Sequence, residues 1–349
     1  MPRQTMPPMD SVTQIALGAA MGVAVMGRRS APWKAAVWGA VAGTLPDLDV
    51  LIDHGDPILN MVLHRAETHA PFWLTLFSLP FAAVVARLHG EWDRWRRWWL
   101  ALWLALVTHP LLDAMTVYGT QIALPFSDQP YGVGSMFIID PLYTLPLLAG
   151  TLWALLRNGR GHAAAGPGLR ANHVGLILSS AYLVWSVAAQ MHVERIARQA
   201  LAAQGIAAER LLVLPTAFNT LLWRVVAIDG QHYLEGFHSV FDRGTKLHLD
   251  RFDRGTRLGA ELRSIDGVRR IQNFSHGFWA VWQQDERLGI TDLRMGQEPA
   301  YTFRFAVAER HSPWVPLVRS EQVGGRPDVG RVLPWLWRRA LGEPLPPPR

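Results

Sequence analysis

The chain has 349 residues, of which half are hydrophobic and only 18% are charged, and its formal net charge is +6. It contains no cysteine, which excludes disulfides, cysteine-ligated metal sites and a cysteine nucleophile. The positive charge comes almost entirely from scattered arginines, a pattern that favours loops flanking membrane helices over a nucleic-acid-binding surface, so we expect no nucleic-acid partner.

Charge is distributed unevenly along the chain. Residues 1–192 contain 11 acidic and 12 basic side chains, whereas residues 193–349 contain 17 and 22. Soluble domains have roughly 25% charged residues. The first 192 residues are therefore too poor in charge for an ordinary soluble domain, and the remainder is not.

Apolar runs without charges divide the first 192 residues. Five of them approach the ~17–25 residues that cross a bilayer, and none shows the polar face of a soluble amphipathic helix. A sixth run, at 35–45, is shorter and rich in Ala, Gly and Val. The five longer runs are 11–27, 70–86, 98–112, 141–156 and 174–189.

The loops between these runs predict an orientation. The segments 28–34, 89–97 and 157–170 are basic and should be cytoplasmic, whereas the alternate loops are acidic or neutral. If all six runs cross the membrane, both the N-terminus and the C-terminal region lie on the outer side. We therefore predict about six membrane helices.

The pattern changes after residue 192. An amphipathic helix is predicted at 194–204, and alternating segments typical of strands follow at 220–228, 232–241, 278–284 and 302–308. Asp229 and Gly230 form a plausible hairpin turn. The predicted fold is mostly α: a polytopic helical membrane domain at 1–192, a small β-rich (α+β) soluble domain at 193–340, and a proline-rich disordered tail at 341–349.

The pair His109 and Asp113 is the most informative polar feature of the apolar runs. Residues four apart lie on one face of a helix, so this imidazole and this carboxylate can bind one metal ion. Zinc accepts both ligand types, as do manganese and iron. The alternative is a helix-end pair in which Asp113 hydrogen-bonds His109.

Other polar segments reach the same membrane face if six helices cross. Polar and ionisable side chains at membrane depth are costly, so their convergence predicts a site for a divalent metal. The first-choice metal ligands are His64, His69, His109 and Asp113. Asp47 and Asp49 rank next, either as ligands that bridge a second ion or as the general base for a bound water.

Arg65 lies between the two histidines of the segment 64–69 and has two interpretations. It can bind an anionic group of a substrate, or it can form a salt bridge with Glu67 or Asp113. Asp10 and Asp140 each precede a predicted helix, and helix capping is the preferred role for both.

Four ordered motifs in residues 9–145 resemble a known family. They are MDSVTQ at 9–14, GTLPDLD at 43–49, HRAETH at 64–69, and TH at 108–109 followed by Asp113 and Thr116. The set is similar to the bacterial membrane-bound, metal-dependent hydrolases of the inner membrane, some of which are described as LexA-binding. The resemblance implies a multi-pass inner-membrane protein with a divalent metal, although many members have histidine where this chain has Gln14.

The leading hypothesis is a membrane metal-dependent hydrolase whose site faces the periplasm and whose substrate is a lipid-linked or amphipathic ester or phosphoester. In it, Asp47 or Asp49 is the base, Arg65 binds the anionic group, and the metal is zinc, with manganese or iron as alternatives. The expected partners are the lipid bilayer and a lipid-like substrate. The alternatives are a non-catalytic scaffold with a structural His/Asp cluster and, less favoured, a transporter.

Overall fold

The computed structural model describes residues 11–158, 166–311, 314–325 and 327–349. The predicted cap Asp10 lies outside these residues. The chain forms two compact units. The helical unit comprises Met1–Ile52, Arg65–Val133 and Ile138–Ser186, and the C-terminal unit comprises Asp53–His64, Gly134–Phe137 and Val187–Arg349.

Every apolar run predicted from the sequence is helical. The helices are α1 (Ser11–Met26), α2 (Pro32–Thr44), α3 (Pro57–Leu63), α4 (Pro71–Leu88), α5 (Trp95–Asp113), α6 (Pro141–Asn158) and α7 (Pro167–Ala203). The predicted span at 174–189 and the predicted amphipathic helix at 194–204 form one continuous helix, α7. Because this stretch contains no proline or glycine after Gly175, nothing in the sequence interrupts it.

Two helices among the described residues, α4 and α7, are long and apolar enough to cross a membrane by length and composition. This count is smaller than the predicted number of about six. Helix α2 has 13 residues and is about 20 Å long, which is shorter than the ~30 Å hydrocarbon core. Helix α1 is apolar but has only 16 residues.

Helices α1 and α2 pack backbone to backbone through glycine. A Cβ atom built on Gly22 would lie 2.1 Å from the carbonyl oxygen of Ala35, and one on Gly43 would lie 2.5 Å from that of Gln14. Glycine is therefore required at this interface, since any side chain would separate the helices. The contact brings the first turn of α1 beside the end of α2.

Helices α4 and α5 form an antiparallel pair joined by a short connection. Trp99 and Trp103 of α5 donate indole hydrogen bonds to Ser78 and Thr75 of α4, each at 2.9 Å. The buried Trp98 packs in the same apolar core. Because α5 returns along α4, its C-terminal end lies beside the segment that precedes α4.

The C-terminal unit contains two four-stranded antiparallel sheets and one two-stranded sheet. The first sheet has the order β1 (Arg210–Pro215), β2 (Leu222–Asp229), β3 (His232–Ser239), β4 (Asp250–Asp253). The second has the order β10 (Val315–Gln322), β9 (Arg304–Glu309), β6 (Arg287–Asp292), β5 (Trp279–Gln284), and β7 (Gly296–Gln297) pairs with β8 (Ala300–Tyr301). The helices are α8 (Thr256–Glu261), α9 (Asp266–Phe274) and α10 (Val329–Ala340).

The β-rich character predicted after residue 192 is confirmed. Strands β2, β3, β5 and β9 overlap the four predicted strands, and the Asp229–Gly230 hairpin joins β2 to β3 with Gly230 at a φ of 58°. Together with the helical N-terminal half, this gives an α+β chain. The predicted disordered tail at 341–349 has neither helix nor strand, and Arg349 donates a 2.6 Å hydrogen bond to Asp250.

The C-terminal unit includes the segment between Asp53 and His64, which is distant in sequence from its strands. Asp56 caps α3 and also accepts hydrogen bonds from the backbone and side chain of Ser320 in β10, at 2.8 and 2.7 Å. Ile58 of the same helix is fully buried. These contacts hold the segment as an integral part of the unit.

Candidate metal centre

Four metal-ligand side chains converge at one end of the helical unit: Asp47, His69, His109 and Asp113. Asp47 lies in the 3-10 turn Pro46–Leu51 that follows α2, and His69 ends the 3-10 turn Glu67–His69 before α4. His109 and Asp113 occupy the last turn of α5. The antiparallel packing of α4 and α5 and the glycine contact between α1 and α2 bring these elements together.

The distances among the four donor atoms fit a small cation. The Nε2 atoms of His69 and His109 are 3.1 Å apart. These nitrogens lie 3.4 and 3.3 Å from Asp47 Oδ1, and 3.3 and 3.4 Å from Asp113 Oδ2. A tetrahedron with bonds of about 2.0–2.1 Å has edges of about 3.3–3.4 Å, so the spacing matches zinc coordinated by nitrogen and oxygen.

The hydrogen bonds of the two Nδ1 atoms show which ring nitrogen of each histidine directs a lone pair into the cluster. His109 Nδ1 lies 2.6 Å from the carbonyl oxygen of Gly43, which can only accept. His69 Nδ1 lies 2.9 Å from the Thr68 hydroxyl, which donates its own proton to Asp49 at 2.8 Å. In the neutral imidazoles both Nδ1 atoms are therefore protonated, and both Nε2 lone pairs point into the cluster.

The carboxylates add further lone pairs. Asp113 Oδ1 accepts from Gln14 Nε2 at 3.0 Å and faces the Arg65 guanidinium at 3.2 Å. Within the described part of the chain, Asp113 Oδ2 and both oxygens of Asp47 are buried and have no hydrogen-bond partner. Burying an acceptor without a hydrogen-bond donor lowers the stability of the fold, unless a cation lies between such acceptors.

The charge of the cluster also calls for a cation. Asp47, Asp49 and Asp113 contribute three carboxylates, and the Arg65 guanidinium contributes one positive charge, which pairs with Asp113. With neutral imidazoles, two negative charges are left in excess, which one divalent ion would neutralise.

Arg65 is a structural member of the site. Its side chain is 1% exposed, forms the ion pair with Asp113 and donates to the Thr116 hydroxyl at 3.1 Å. Its backbone N–H donates to Asp49 Oδ2 at 3.1 Å. Its φ of 64° is unusual for a residue with a side chain. Of the two interpretations of Arg65, the geometry shows the salt bridge to Asp113.

The structure brings three predicted ligands together, His69, His109 and Asp113, and adds Asp47, which ranks second among the sequence candidates. Asp49 lies one step outward, where it orients His69 through Thr68. His64 ends α3 in the C-terminal unit and is not among the four converging side chains. Asp140 is also not one of the four side chains. It caps α6, because its Oδ1 accepts a hydrogen bond from the backbone N–H of Leu142.

Sequence reasoning missed the supporting residues Gln14 and Thr68 and the carbonyl of Gly43. Gln14 and Thr68 belong to the motifs at 9–14 and 64–69, so their position was a usable signal. The Gly43 carbonyl has no such signal, because every residue carries a backbone acceptor.

Comparison with known proteins agrees with this geometry. The family model for YdjM inner membrane protein matches residues 9–193, which include all four converging residues. The chain belongs to the YdjM inner membrane protein family. This is the family that the sequence motifs indicate, so the resemblance is confirmed, and with the apolar helices α4 and α7 it identifies a membrane protein.

The similarity extends beyond the family segment. The chain is 25% identical to the uncharacterized protein YfhP of Bacillus subtilis (strain 168) over 309 residues, which cover 84% of this chain and 89% of that protein. No solved structure matches the chain.

Proposed function

We propose that the protein is a metal-dependent hydrolase of the bacterial inner membrane that cleaves a lipid-linked or amphipathic ester or phosphoester. The observation that carries this proposal is the convergence of two imidazole nitrogens 3.1 Å apart with two carboxylate oxygens, each 3.3–3.4 Å from both nitrogens, in a buried cluster with excess negative charge. Hydrogen-bond networks that serve only stability leave no such set of facing acceptors.

His69, His109 and Asp113 would hold the ion, with Asp47 as the fourth donor. Mixed nitrogen and carboxylate donors suit zinc first, with manganese and iron as alternatives. A divalent ion there would supply Lewis acidity and increase the acidity of water. Gln14, Thr68 and the Gly43 carbonyl keep the donor atoms oriented toward it.

Asp47 is the group best placed to act on a substrate. Its side chain is 12% exposed, whereas His69 and His109 are fully buried, although the two Asp47 oxygens themselves are buried. Asp49 is less suitable as a base, because its Oδ2 already accepts from Arg65 and Thr68. Arg65 would act by holding Asp113 and by giving the site positive potential toward an anionic substrate.

The surface beside Asp47 supports an amphipathic substrate. Leu48, Val50, Leu51 and Ile52 are all exposed around the 3-10 turn that carries Asp47 and Asp49. Exposed Phe72, Trp73 and Phe126 form edge-to-face contacts at the start of α4. Aromatic side chains of this kind concentrate at the membrane–water interface, so an acyl chain could lie against this surface.

The proposed topology is six membrane crossings with the metal centre and the C-terminal unit on the periplasmic side. It rests on the basic loops, since α2 alone is too short for a full crossing and would need neighbouring residues to complete it. Reporter fusions at residues 53 and 128 test it, because both positions should report the periplasmic side.

A structural role for the ion is the second candidate, and one observation favours it. The number of protein donors is four, which is typical of structural zinc sites, whereas catalytic zinc keeps one position open. In this case the protein is a scaffold whose metal holds α2, α4 and α5 together.

Assays of full-length protein in detergent would separate the two functions. We would test phosphoester and lipid-ester substrates with added zinc or manganese, using His109→Ala, Asp47→Asn and the exposed control Asp128→Asn. A hydrolase loses activity in His109→Ala, loses at least about 100-fold in Asp47→Asn, and keeps it in Asp128→Asn. Stoichiometric metal with no hydrolysis across this panel contradicts the hydrolase and supports the scaffold.

A further inference from the structure

Helix α10 of the C-terminal unit exposes an apolar stripe. Val329, Leu333, Trp337 and Leu341 recur every four residues and are 37–70% exposed. Phe241, in the loop that contacts Gly342, is 56% exposed and extends the stripe. We call these five residues the α10 face.

The α10 face is held rigidly by the opposite side of the helix. Trp335 and Leu336 are buried against Leu222 and Phe237 of the first sheet. Arg339 is buried, donates to Asp242 at 2.7 Å and donates to the Phe237 carbonyl at 3.0 Å. These buried residues attach α10 to the first sheet. The exposed stripe is therefore not the result of a loosely attached helix.

Basic residues are close in sequence to the α10 face, and we call them its border. Arg331 and Arg338 lie on the helix, and Arg243 and Lys246 follow Phe241. The acids close in sequence are Asp328, which caps α10, and Glu343, which pairs with Arg338. Four cations against two acids give these residues a net charge of +2, because Asp242 and Arg339 neutralise each other.

We propose that the α10 face docks on an anionic lipid surface. Its pattern is that of an interfacial helix, with tryptophan and aliphatic residues on one stripe and arginine beside it. The border attracts anionic headgroups, and the chain is a membrane protein, so a bilayer is always close to this unit. Charge complementarity therefore favours lipid over a second copy of the same basic face.

The absence of cysteine allows a direct test in the full-length protein. Trp337→Cys carries an environment-sensitive fluorophore, and the protein is placed in nanodiscs that contain either phosphatidylglycerol or only phosphatidylcholine. Nitroxide groups on the lipid chains report contact by quenching. Val318→Cys, which is fully exposed on β10 outside the α10 face, is the matched control.

The proposal predicts quenching and a blue shift at position 337 in phosphatidylglycerol, weaker effects in phosphatidylcholine, and little effect at position 318. Reversing Arg243, Lys246 and Arg331 to Glu should reduce docking of the α10 face, measured by quenching at position 337, by about fivefold in the docked-to-undocked ratio for each cation lost. Equal quenching at both positions, or none at 337, overturns the proposal. A blue shift that depends on protein concentration instead of lipid also overturns it and indicates self-association.

Discussion

The two units bury charge in different ways. In the C-terminal unit three buried or half-buried carboxylates are each paired with a guanidinium. In the helical unit three carboxylates and two imidazoles lie close together, and the Arg65 guanidinium pairs with one of these carboxylates, Asp113. The pairs of the C-terminal unit are Glu235 with Arg224, Asp292 with Arg294, and Asp242 with Arg339.

This difference distinguishes a structural network from a site that needs a ligand. The Asp292 carboxylate receives four hydrogen bonds from Arg294, so both of its oxygens are satisfied within the chain. Asp47 has no hydrogen-bond donor for either oxygen among the described residues. The Asp292 carboxylate is thus satisfied within the chain, whereas the Asp47 carboxylate calls for a cation.

The largest expected effect is the loss of stability when a buried ion pair of the C-terminal unit is broken. Asp292→Ala should destabilise the C-terminal unit by ~3–5 kcal/mol, because it leaves Arg294 as an uncompensated buried charge. Hydrogen–deuterium exchange of β5 and β6 in the full-length protein measures this loss. Chelator should not alter it.

Glu194→Ala is the matched control for that measurement. Glu194 pairs with Arg198 on an exposed part of α7, and exposed helical pairs contribute only about 0.3–0.5 kcal/mol. If Asp292→Ala costs no more than this control, the buried pairs are not what completes the C-terminal unit.

A smaller effect is expected for the residue that orients His69. Thr68→Val removes the hydroxyl between Asp49 and His69 and should weaken divalent-metal affinity by about 10- to 100-fold. Calorimetric titration of chelator-treated protein with zinc measures the affinity. Thr44→Val is the control, because the Thr44 hydroxyl bonds only to carbonyls of its own helix. Equal affinities for both variants would show that Thr68 does not orient a ligand.

The smallest effect is the dependence of each unit on pH. Burial raises the pKa of Asp242, but Arg339 outweighs burial and holds it below 3.8. The pair therefore stabilises the C-terminal unit above that pH, and its contribution is lost as the pH falls through the lowered pKa. Metal binding requires neutral imidazole and competes with protons, so the metal affinity of the helical unit should fall as the pH is lowered. Exchange measured at decreasing pH should thus show the helical unit loosening before the C-terminal unit, and the reverse order would contradict the comparison.

The sequence predicts much of this organisation where the pattern is local. All six apolar runs are helices, including the three with an internal proline, Pro80, Pro110 and Pro146, because uncharged runs of this length favour helix. The hairpin at Asp229 and Gly230 follows from its turn residues. Strand β10 was not predicted, since it contains Pro316 and its pairing with β9 shifts register after that residue.

The site was partly predictable for the same reason. His109 and Asp113 share a helix face at a spacing of four, which the sequence shows directly. The approach of Asp47 and His69 depends on the glycine contact of α1 with α2 and on the α4–α5 pair, which are long-range packing features. His64 ends α3 and is not among the four converging side chains, so its role as a ligand stays a prediction.

Metal content tests the central claim most directly. Full-length protein, purified without chelator and supplied with zinc, manganese or iron, should retain one divalent ion per chain by elemental analysis. His109→Ala and Asp113→Asn should lose it, whereas the exposed control His248→Ala should keep it. Folded wild-type protein without a divalent ion, or metal content unchanged by both substitutions, would contradict the account.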